Sequence, residues 1–521
     1  MKNKTSDDKY ALLSVFDKTG IVDFAKILTS LGYKIISTGG TSKILTENKI
    51  PVIPIQEITG NPESFDGRMK TISFQVESGI LFDRKNKKHR EEARKLKIKP
   101  IDIVVCNLYP FEETVRKRAP LDKIIENIDV GGPTMIRAAA KNFKNVLVVI
   151  DPNDYTEISQ KLKRKNISEN YRKALAGKAF FHLSFYDSHV AKYLSKNIFP
   201  QEITLAGRKI QDLRYGENPH QKAAFYLSSN SSSLNNLKRL FGRELSLVNI
   251  TDINAGIESV RVFNQPCSVV IKHNSPSGIA LGKTPEQSLS RAIEADPESA
   301  FGGVIVVNKT LGMKSAKIIA GFKSEKKGNI DIIAAPKVEK NALEFLSKIR
   351  KSMGIYEFGK ILKPSREILN MKWIDDGFIL QTQDIYSEND FKTWKVVTKK
   401  RPTKKHLEQM KIAWAFITRI RSNSVIIIDK DLQMTRGIGS GQTSRIRSTK
   451  IALIQAGKFT NGGILASDSF FPFDDSVKLA GKYKIGAIIQ QGGSINDKSS
   501  IETADKLKIP MVFTGKRAFW H

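Results

Sequence analysis

The chain has 521 residues, 40% hydrophobic and 26% charged, a composition of ordinary globular proteins and a length that predicts two to four domains. Its formal charge of +32 admits nucleic acid as a partner. However, lysine is scattered over the whole sequence, and the densest run, Arg84–Arg90 (RKNKKHR), lacks the interleaved aromatics of a single-strand binder. Dispersed charge favours anionic small molecules instead, with a basic RNA-binding protein as the non-enzyme alternative.

No run of about 18 apolar residues is present, so no membrane span is expected. No signal-peptide core precedes the first strand, so the cytoplasm is expected. Cys106 and Cys267 both lie in apolar runs and read as reduced core residues; two cysteines cannot by themselves build a zinc site.

Taken in order, Ala11–Gly20 (ALLSVFDKTG) reads as a strand and a turn, with Asp17 and Thr19 as candidate caps. Ile21–Gly32 has helical spacing and ends at a glycine stop. Tyr33–Leu45 (YKIISTGGTSKIL) repeats the plan, and its turn offers backbone N–H groups, hydroxyls and a helix start to a phosphate. A glycine turn alone is weak support, because tight turns need glycine for backbone reasons. DGRMKT (Asp66–Thr71) sets Arg68 and Lys70 close together after a glycine. Ile101–Val115 (IDIVVCNLYPFEETV) is a buried strand ending in Asn107, Tyr109 and Pro110. Ile128–Asn142 enters a helix through Gly131, Gly132 and Pro133, with Asp129 before the turn and Lys141 near the far end.

In this order and spacing, SVFDKTG, ISTGGT, DGRMKT, CNLYPFEETV and IDVGGPTMIRAAAKN resemble the motifs of the IMP cyclohydrolase domain. That domain is the N-terminal, methylglyoxal-synthase-like half of a bifunctional purine-biosynthesis family. The other half is phosphoribosylaminoimidazolecarboxamide (AICAR) formyltransferase. The resemblance implies an α/β fold, with a parallel-sheet domain over residues 1–150 that binds a ribonucleotide monophosphate. Ser14, Lys18, Thr19, the turn Ser37, Thr38, Gly39, Gly40 and Thr41, and Arg68, Lys70, Thr71 and Gly131 would hold the nucleotide. Asn107, Tyr109, Asp129 and Lys141 would surround the heterocycle.

The implied chemistry is a ring closure in which a carboxamide nitrogen attacks a formyl carbon and water leaves. An amide is a poor nucleophile and hydroxide a poor leaving group, so the site must hold the two ends together and move protons. Lys141, charge-paired with Asp129, is expected to transfer the proton, while Lys70 and Tyr109 polarise the departing oxygen. Two features depart from the family. Phe16 stands where a small hydroxyl residue is usual, and Ile72–Ser78 (ISFQVES) replaces a segment that usually carries two histidines. They leave open a formyltransferase whose cyclohydrolase domain is impaired.

Residues 151–200 read as a helical connector, and the aromatic stripe in Ala174–Leu194 is expected to be core. Ser228–Asn236 (SSNSSSLNN) has linker composition and is expected as a surface loop. In Leu213–Gln221 (LRYGENPHQ), Arg214 suits a phosphate and Tyr215 adds a hydroxyl. Cys267–Ile271 reads as a buried strand broken by Lys272, His273 and Asn274, with Pro276 and Gly278 expected to end it. Past the carboxyl end of a parallel strand, such a pair supplies a fixed positive charge and a proton acceptor. Further on, Asp331 leads an apolar strand, Asn423 joins a helix to a strand, and a glycine hairpin delivers Arg445 into a helix. GIGSGQ within that hairpin is not a dinucleotide loop, because no acidic residue follows about 20 positions on at a second strand end.

LRYGENPHQ, KHNSPSG, SAFGG, RSNSV, GIGSGQTSR, SDSFFPF, GGSIND and FTGKRAFWH, in that order, resemble the AICAR formyltransferase half of the same family. The resemblance implies two cytidine-deaminase-like α/β units over 201–521 and a homodimer. No metal is expected, since the zinc deaminase signature is absent. No tightly bound cofactor is implied, with 10-formyltetrahydrofolate as co-substrate. His273 would take the amine proton, Lys272 would stabilise the formyl oxygen, and Asn423 would add a hydrogen bond. Arg214, Tyr215 and Arg517 would hold the phosphate, and Gly302, Asp331 and Arg445 the rest of AICAR. Ile446, Phe470, Asp475, Ser494 and Ile495 would line the folate side, with Phe473 as simple core packing.

Overall fold

A computed structural model describes residues 8–195, 197–228, 232–322, 329–363 and 369–521. The chain divides after Ala206 into two compact units. Among the described residues no helix is long and apolar enough to cross a membrane.

In the first unit, β1 (Lys9–Val15), β2 (Tyr33–Ser37), β3 (Val52–Pro54), β4 (Ile101–Asn107) and β5 (Leu147–Val149) form a sheet in the order β3-β2-β1-β4-β5. Every pair is parallel. A parallel sheet is covered on both faces, which is why these strands read as continuous apolar runs; Leu12, Leu13, Ile36, Val104 and Val149 are fully buried. This is the parallel-sheet unit that the resemblance implied. The chain leaves β1 toward β2 on one side and returns beside it at β4, so the strand order reverses there. A crevice forms outside the carboxyl ends of the strands at such a point.

The helix Glu169–Leu194 packs into this unit through Leu175, Ala176, Ala179, Leu183 and Tyr186, so the expected connector is part of the first core. Its aromatic stripe is split rather than wholly buried: Tyr186 is inside, whereas Phe181 is 81% exposed. A helix lying on a core buries one face only. Arg84 in the basic run is not a solvated charge either. Its guanidinium donates to the carbonyls of Gly79, Ile80, Phe82 and Ile101, fastening the end of the helix Phe74–Leu81 to β4.

The second unit begins with a hairpin of β6 (Arg208–Leu213) and β7 (Ala223–Leu227). Next come β8 (Lys238–Phe241), β9 (Cys267–Lys272), β10 (Ser275–Leu281), β11 (Val304–Val307), β12 (Ile332–Ala335) and β13 (Gly354–Glu357), in a sheet ordered β10-β9-β11-β12-β13-β8. A separate hairpin pairs β14 (Leu369–Ile374) with β15 (Gly377–Thr382). The last sheet holds β16 (Lys395–Val396), β17 (Val425–Ile428), β18 (Thr435–Gly439), β19 (Ile464–Ser467), β20 (Ala487–Gln490) and β21 (Met511–Phe513), ordered β16-β21-β20-β19-β17-β18.

These two sheets share one topology. Each has a hairpin at one edge, a third strand antiparallel to the hairpin's first, two parallel additions and an antiparallel strand at the far edge. Their edges meet where Leu281 N–H donates to Gln433 O (2.8 Å) and Ile279 N–H to Thr435 Oγ1 (3.1 Å). A Cβ on Gly437 or Gly439 would come within 1.9 Å of a carbonyl of the helix Arg445–Ala456, so the glycines of GIGSG serve strand-on-helix contact.

Three expectations are corrected here. β9 is antiparallel to both neighbours, and Pro276 and Gly278 do not end the strand, because β10 runs on through them. Pro276 is tolerated where the register shifts, at an edge strand that needs no N–H from it. Of the low-complexity stretch, 229–231 lie outside the described residues. Ser233–Asn236 form a turn of 3-10 helix with Ser233 and Leu234 buried, so that part is not a surface loop.

Candidate active sites

A cavity of about 480 Å³ opens at the β1/β4 reversal. Ser14, Phe16, Asn107 and Tyr109 reach it from the strand ends, Thr38–Thr41 from the next turn, and Arg68, Lys70 and Asp129 from the facing loops. Asn107 clamps the loop after β1: its Oδ1 accepts the N–H groups of Phe16 (2.6 Å) and Asp17 (2.8 Å), and its Nδ2 donates to Asp17 O (3.0 Å). Thr41 Oγ1 accepts from Val15 N–H (3.1 Å) and donates to Val15 O (2.9 Å), tying the second turn to the first strand. Phe16 is half exposed and meets the Tyr109 ring edge-on at 5.8 Å.

One end of the cavity is cationic. Thr38 stands before the helix Gly39–Glu47 without capping it, and its Oγ1 is buried with no partner. A Cβ on Gly39 would lie 3.8 Å from Lys70 Nζ, and one on Gly40 3.7 Å from Lys18 Nζ. Two ammonium groups thus converge on the positive end of a helix, an arrangement that an anion neutralises. Lys18 is steadied by Val15 O and Phe16 O, both at 3.1 Å, and Lys70 by Glu63 at 2.7 Å.

Across the cavity, Asp129 Oδ1 accepts Gly132 N–H (2.7 Å) at the start of the helix Gly131–Lys141. The Asp129 N–H donates to the Tyr186 hydroxyl (2.8 Å), which donates in turn to Asn127 O (3.0 Å). Burial pushes the Asp129 carboxyl above its ordinary range, opposed by the N–H groups of Gly132 and Tyr109. A carboxyl held up in this way keeps its proton nearer to neutrality and can deliver it.

In the second unit, His273 and Asn274 are the two central residues of the β9–β10 turn, with φ of 55° and 60°. Lys272 Nζ donates to Phe301 O (2.9 Å), and the exposed His273 stands at the tip. The buried Asp252 accepts Asn274 N–H at 2.6 Å. In the last sheet, Asn423 Oδ1 accepts from Arg445 (2.6 Å), while Asn423 Nδ2 donates to Gln442 O (2.9 Å). Arg445 is buried and ion-paired with Asp468, which also accepts from the hydroxyls of Ser422 and Ser424 and from Ser424 N–H. Ser440 Oγ links this region to Ser275 Oγ of the hairpin at 3.2 Å.

Residues 139–455 match the family described as AICARFT/IMPCHase bienzyme, and residues 20–134 match an MGS-like domain. The chain belongs to the AICARFT/IMPCHase bienzyme family. The bifunctional purine biosynthesis protein PurH of Thermoanaerobacter sp. (strain X514) is 44% identical to it, over 98% of this chain and 100% of that protein. Proteins of the same name from Persephonella marina and Bacillus cereus (strain AH820) are each 42% identical, over 98% of this chain and 99% and 100% of their own lengths.

Of the cyclohydrolase residues expected for this bienzyme, the cavity gathers Ser14, Lys18, Thr38, Gly39, Gly40, Thr41, Arg68, Lys70, Thr71, Asn107, Tyr109, Asp129 and Gly131. Thr19, Ser37 and Lys141 are not in its lining. The Thr19 N–H and hydroxyl both donate to Asp17 Oδ1 (2.9 and 2.7 Å), and the buried Ser37 hydroxyl donates to Leu13 O (2.7 Å). Lys141 is the exposed last residue of its helix, about 14 Å along the axis from Gly132, so the expected pair with Asp129 is not formed within the chain. None of residues 72–78 lines the cavity either. Ser73 caps the helix Phe74–Leu81, and burial lifts Glu77, with one carboxylate oxygen unpartnered, to about 7.

The formyltransferase residues remain spread over several elements. Arg214 is exposed and donates to the Tyr215 hydroxyl (2.9 Å); Arg517 lies over the Phe519 ring at 4.4 Å. Gly302 N–H donates to Asn329 O (2.6 Å), and Asp331 pairs with Arg243. Ile446 lies in the first turn of the helix Arg445–Ala456, and Asp475 opens the helix Asp475–Lys482. Ser494 Oγ accepts Asn496 N–H (3.1 Å) beside the wholly exposed Ile495. Phe470 is partly exposed, and the core role expected of Phe473 belongs to Phe471: Phe471 is fully buried, whereas Phe473 is 62% exposed.

Sequence reasoning missed Glu63, Tyr186, Arg243, Asp252 and Asp468. Only Asp468 carried a signal, a carboxylate directly after the buried strand β19.

Proposed function

We propose that this chain transfers the formyl group of 10-formyltetrahydrofolate to the exocyclic amine of AICAR, and then closes the formylated nucleotide to IMP with loss of water. The cavity at the β1/β4 reversal carries the reading, with an anion end between Lys18 and Lys70 and a proton-holding carboxyl across from it. The phosphate takes the Gly39–Gly40 helix start. As the carboxamide nitrogen attacks the formyl carbon, Lys70 and Tyr109 polarise the formyl oxygen. Asp129 stands nearer than Lys141 to this exchange. The formyl oxygen gains one proton from the attacking nitrogen and one from Asp129 and leaves as water, and the Asp129 carboxylate recovers the proton that the formamide nitrogen loses as the ring's C=N bond forms.

In the second unit, the AICAR amine attacks the formyl carbon, the bond from that carbon to folate N10 breaks, and N10 leaves protonated. His273 accepts the amine proton, and Lys272 faces the charge that develops on the formyl oxygen. Asn423, held by Arg445, offers its second amide N–H. Arg214, Tyr215 and Arg517 take the phosphate, Gly302 and Asp331 the base and ribose, and Ile446, Phe470, Asp475, Ser494 and Ile495 the folate. The exposed Ile495 and Phe473 suit contact with a second copy, and we assign a cytoplasmic homodimer. The domain plan is a cyclohydrolase followed by a formyltransferase half.

The test supplies AICAR and 10-formyltetrahydrofolate and follows tetrahydrofolate and IMP separately. Both should appear in equal amounts. Formylated nucleotide accumulating without IMP would place the defect in the cyclohydrolase, where Phe16 enters the cavity. Neither product would overturn the proposal.

A further inference from the structure

We propose that Asp252 is a positioning residue for formyl transfer, clamping the His273–Asn274 turn from beneath and so aiming the imidazole. This rests on the reading of His273 as the proton acceptor.

A two-residue hairpin turn with positive φ at both central positions favours Asn-Gly or Gly-Gly, because other residues adopt that region reluctantly. Here the central pair is His273–Asn274, with no glycine to ease either position. The turn therefore needs an external hold. Asp252 supplies one from a different element, the helix Leu247–Val260. Asp252 is buried, and its Oδ1 accepts Asn274 N–H at 2.6 Å, with His273 N–H also directed at the carboxylate. A charged acceptor makes such bonds short and strong.

The clamp is itself rooted. Ser246 Oγ accepts Asn249 N–H (3.3 Å) while Asn249 Oδ1 accepts Ser246 N–H (3.1 Å), so the helix start one turn before Asp252 is locked. The legs of the hairpin are tied separately, Lys272 Nζ to Phe301 O and Ser275 Oγ to Ser440 Oγ. Only the tip depends on Asp252. Among the described residues no side-chain hydrogen bond holds the imidazole, so its direction follows the backbone that carries it, and a misplacement of about 1 Å at a reacting group can cost about 10²-fold in rate.

The experiment compares Asp252→Ala, Asp252→Asn and His273→Ala in the full chain. Asparagine keeps a neutral acceptor at the same place; alanine removes it. Asp252→Ala should lower kcat for formyl transfer about 10²-fold, with KM for AICAR little changed and cyclisation of supplied formylated nucleotide intact. Amide exchange at Asn274 should quicken in the same variant. Asp252→Asn should restore slow exchange and most of the rate. A wild-type kcat in Asp252→Ala overturns the proposal, and so does an Asp252→Asn as slow as alanine. If Asp252→Ala loses cyclisation too, the asparagine variant decides: fast Asn274 exchange or lost formyl transfer counts against the clamp. Should His273→Ala keep its formyl transfer, the reading of His273 fails, while Asn274 exchange still reports on the clamp.

Discussion

The two sites of this chain are assembled in opposite ways. In the first unit, Ser14, Thr38–Thr41, Asn107 and Tyr109 all lie at or just past the carboxyl ends of parallel strands, so sheet topology alone delivers them to one cavity. In the second, Lys272 and His273 ride on a hairpin tip between antiparallel strands, and Asn423 comes from the other sheet. Nothing in the order of elements aims these groups; single ties to other elements do, through Asp252, Phe301 O and Ser440 on the hairpin and through Arg445, itself paired with Asp468, on Asn423. A site built on a parallel edge is therefore expected to withstand loss of a single tie better than one carried on a hairpin tip.

The sharpest way to break this contrast is His273→Ala. Formyl transfer should fall by about 10²–10⁴, the range for a lost general base, with cyclisation unchanged. A parallel fall in both activities would mean that the sites are not separate. Asp468→Ala comes next, because it leaves the Arg445 guanidinium buried without its counter-charge. Breaking such a pair costs about 3–5 kcal/mol, and formyl transfer should be lost at a lower denaturant concentration than cyclisation. Coincident midpoints would show the second unit to be no more dependent on its ties than the first.

Glu77 tests the first unit through pH. Its carboxyl titrates near 4.5 when unfolded and about 7 in the fold, raised by burial. The folded state therefore holds the proton more tightly, and stability falls as pH rises between those values. Glu77→Gln should melt above the wild type at pH 8, with the gain vanishing toward pH 4; a Tm difference independent of pH would refute this. Smallest is Tyr186→Phe, which removes the hydroxyl between Asn127 O and Asp129 N–H. It should cost about 1 kcal/mol in stability and slow cyclisation a few-fold, with formyl transfer as the internal control.

The chain order of motifs was enough to place the parallel sheet, the Thr38–Thr41 turn and most of the first cavity, because strand-end residues of one sheet must share an edge. Lys141 does not meet Asp129 within the chain for a local reason: it is nine residues beyond Gly132 on the same helix, so the motif that holds both does not bring their side chains together. Phe473 misled because SFFPF offers three aromatics, and only packing selects Phe471 for the core.

Strand and helix periodicity and the order of the motifs by themselves determined the α/β class and the family resemblance, since these follow from residue type and spacing along the chain. The partnerships Asp252–Asn274, Arg445–Asp468 and Tyr186–Asp129 were decided only by tertiary structure. Each joins residues that lie 22 to 57 positions apart, a pairing that no local pattern encodes and that burial alone makes strong.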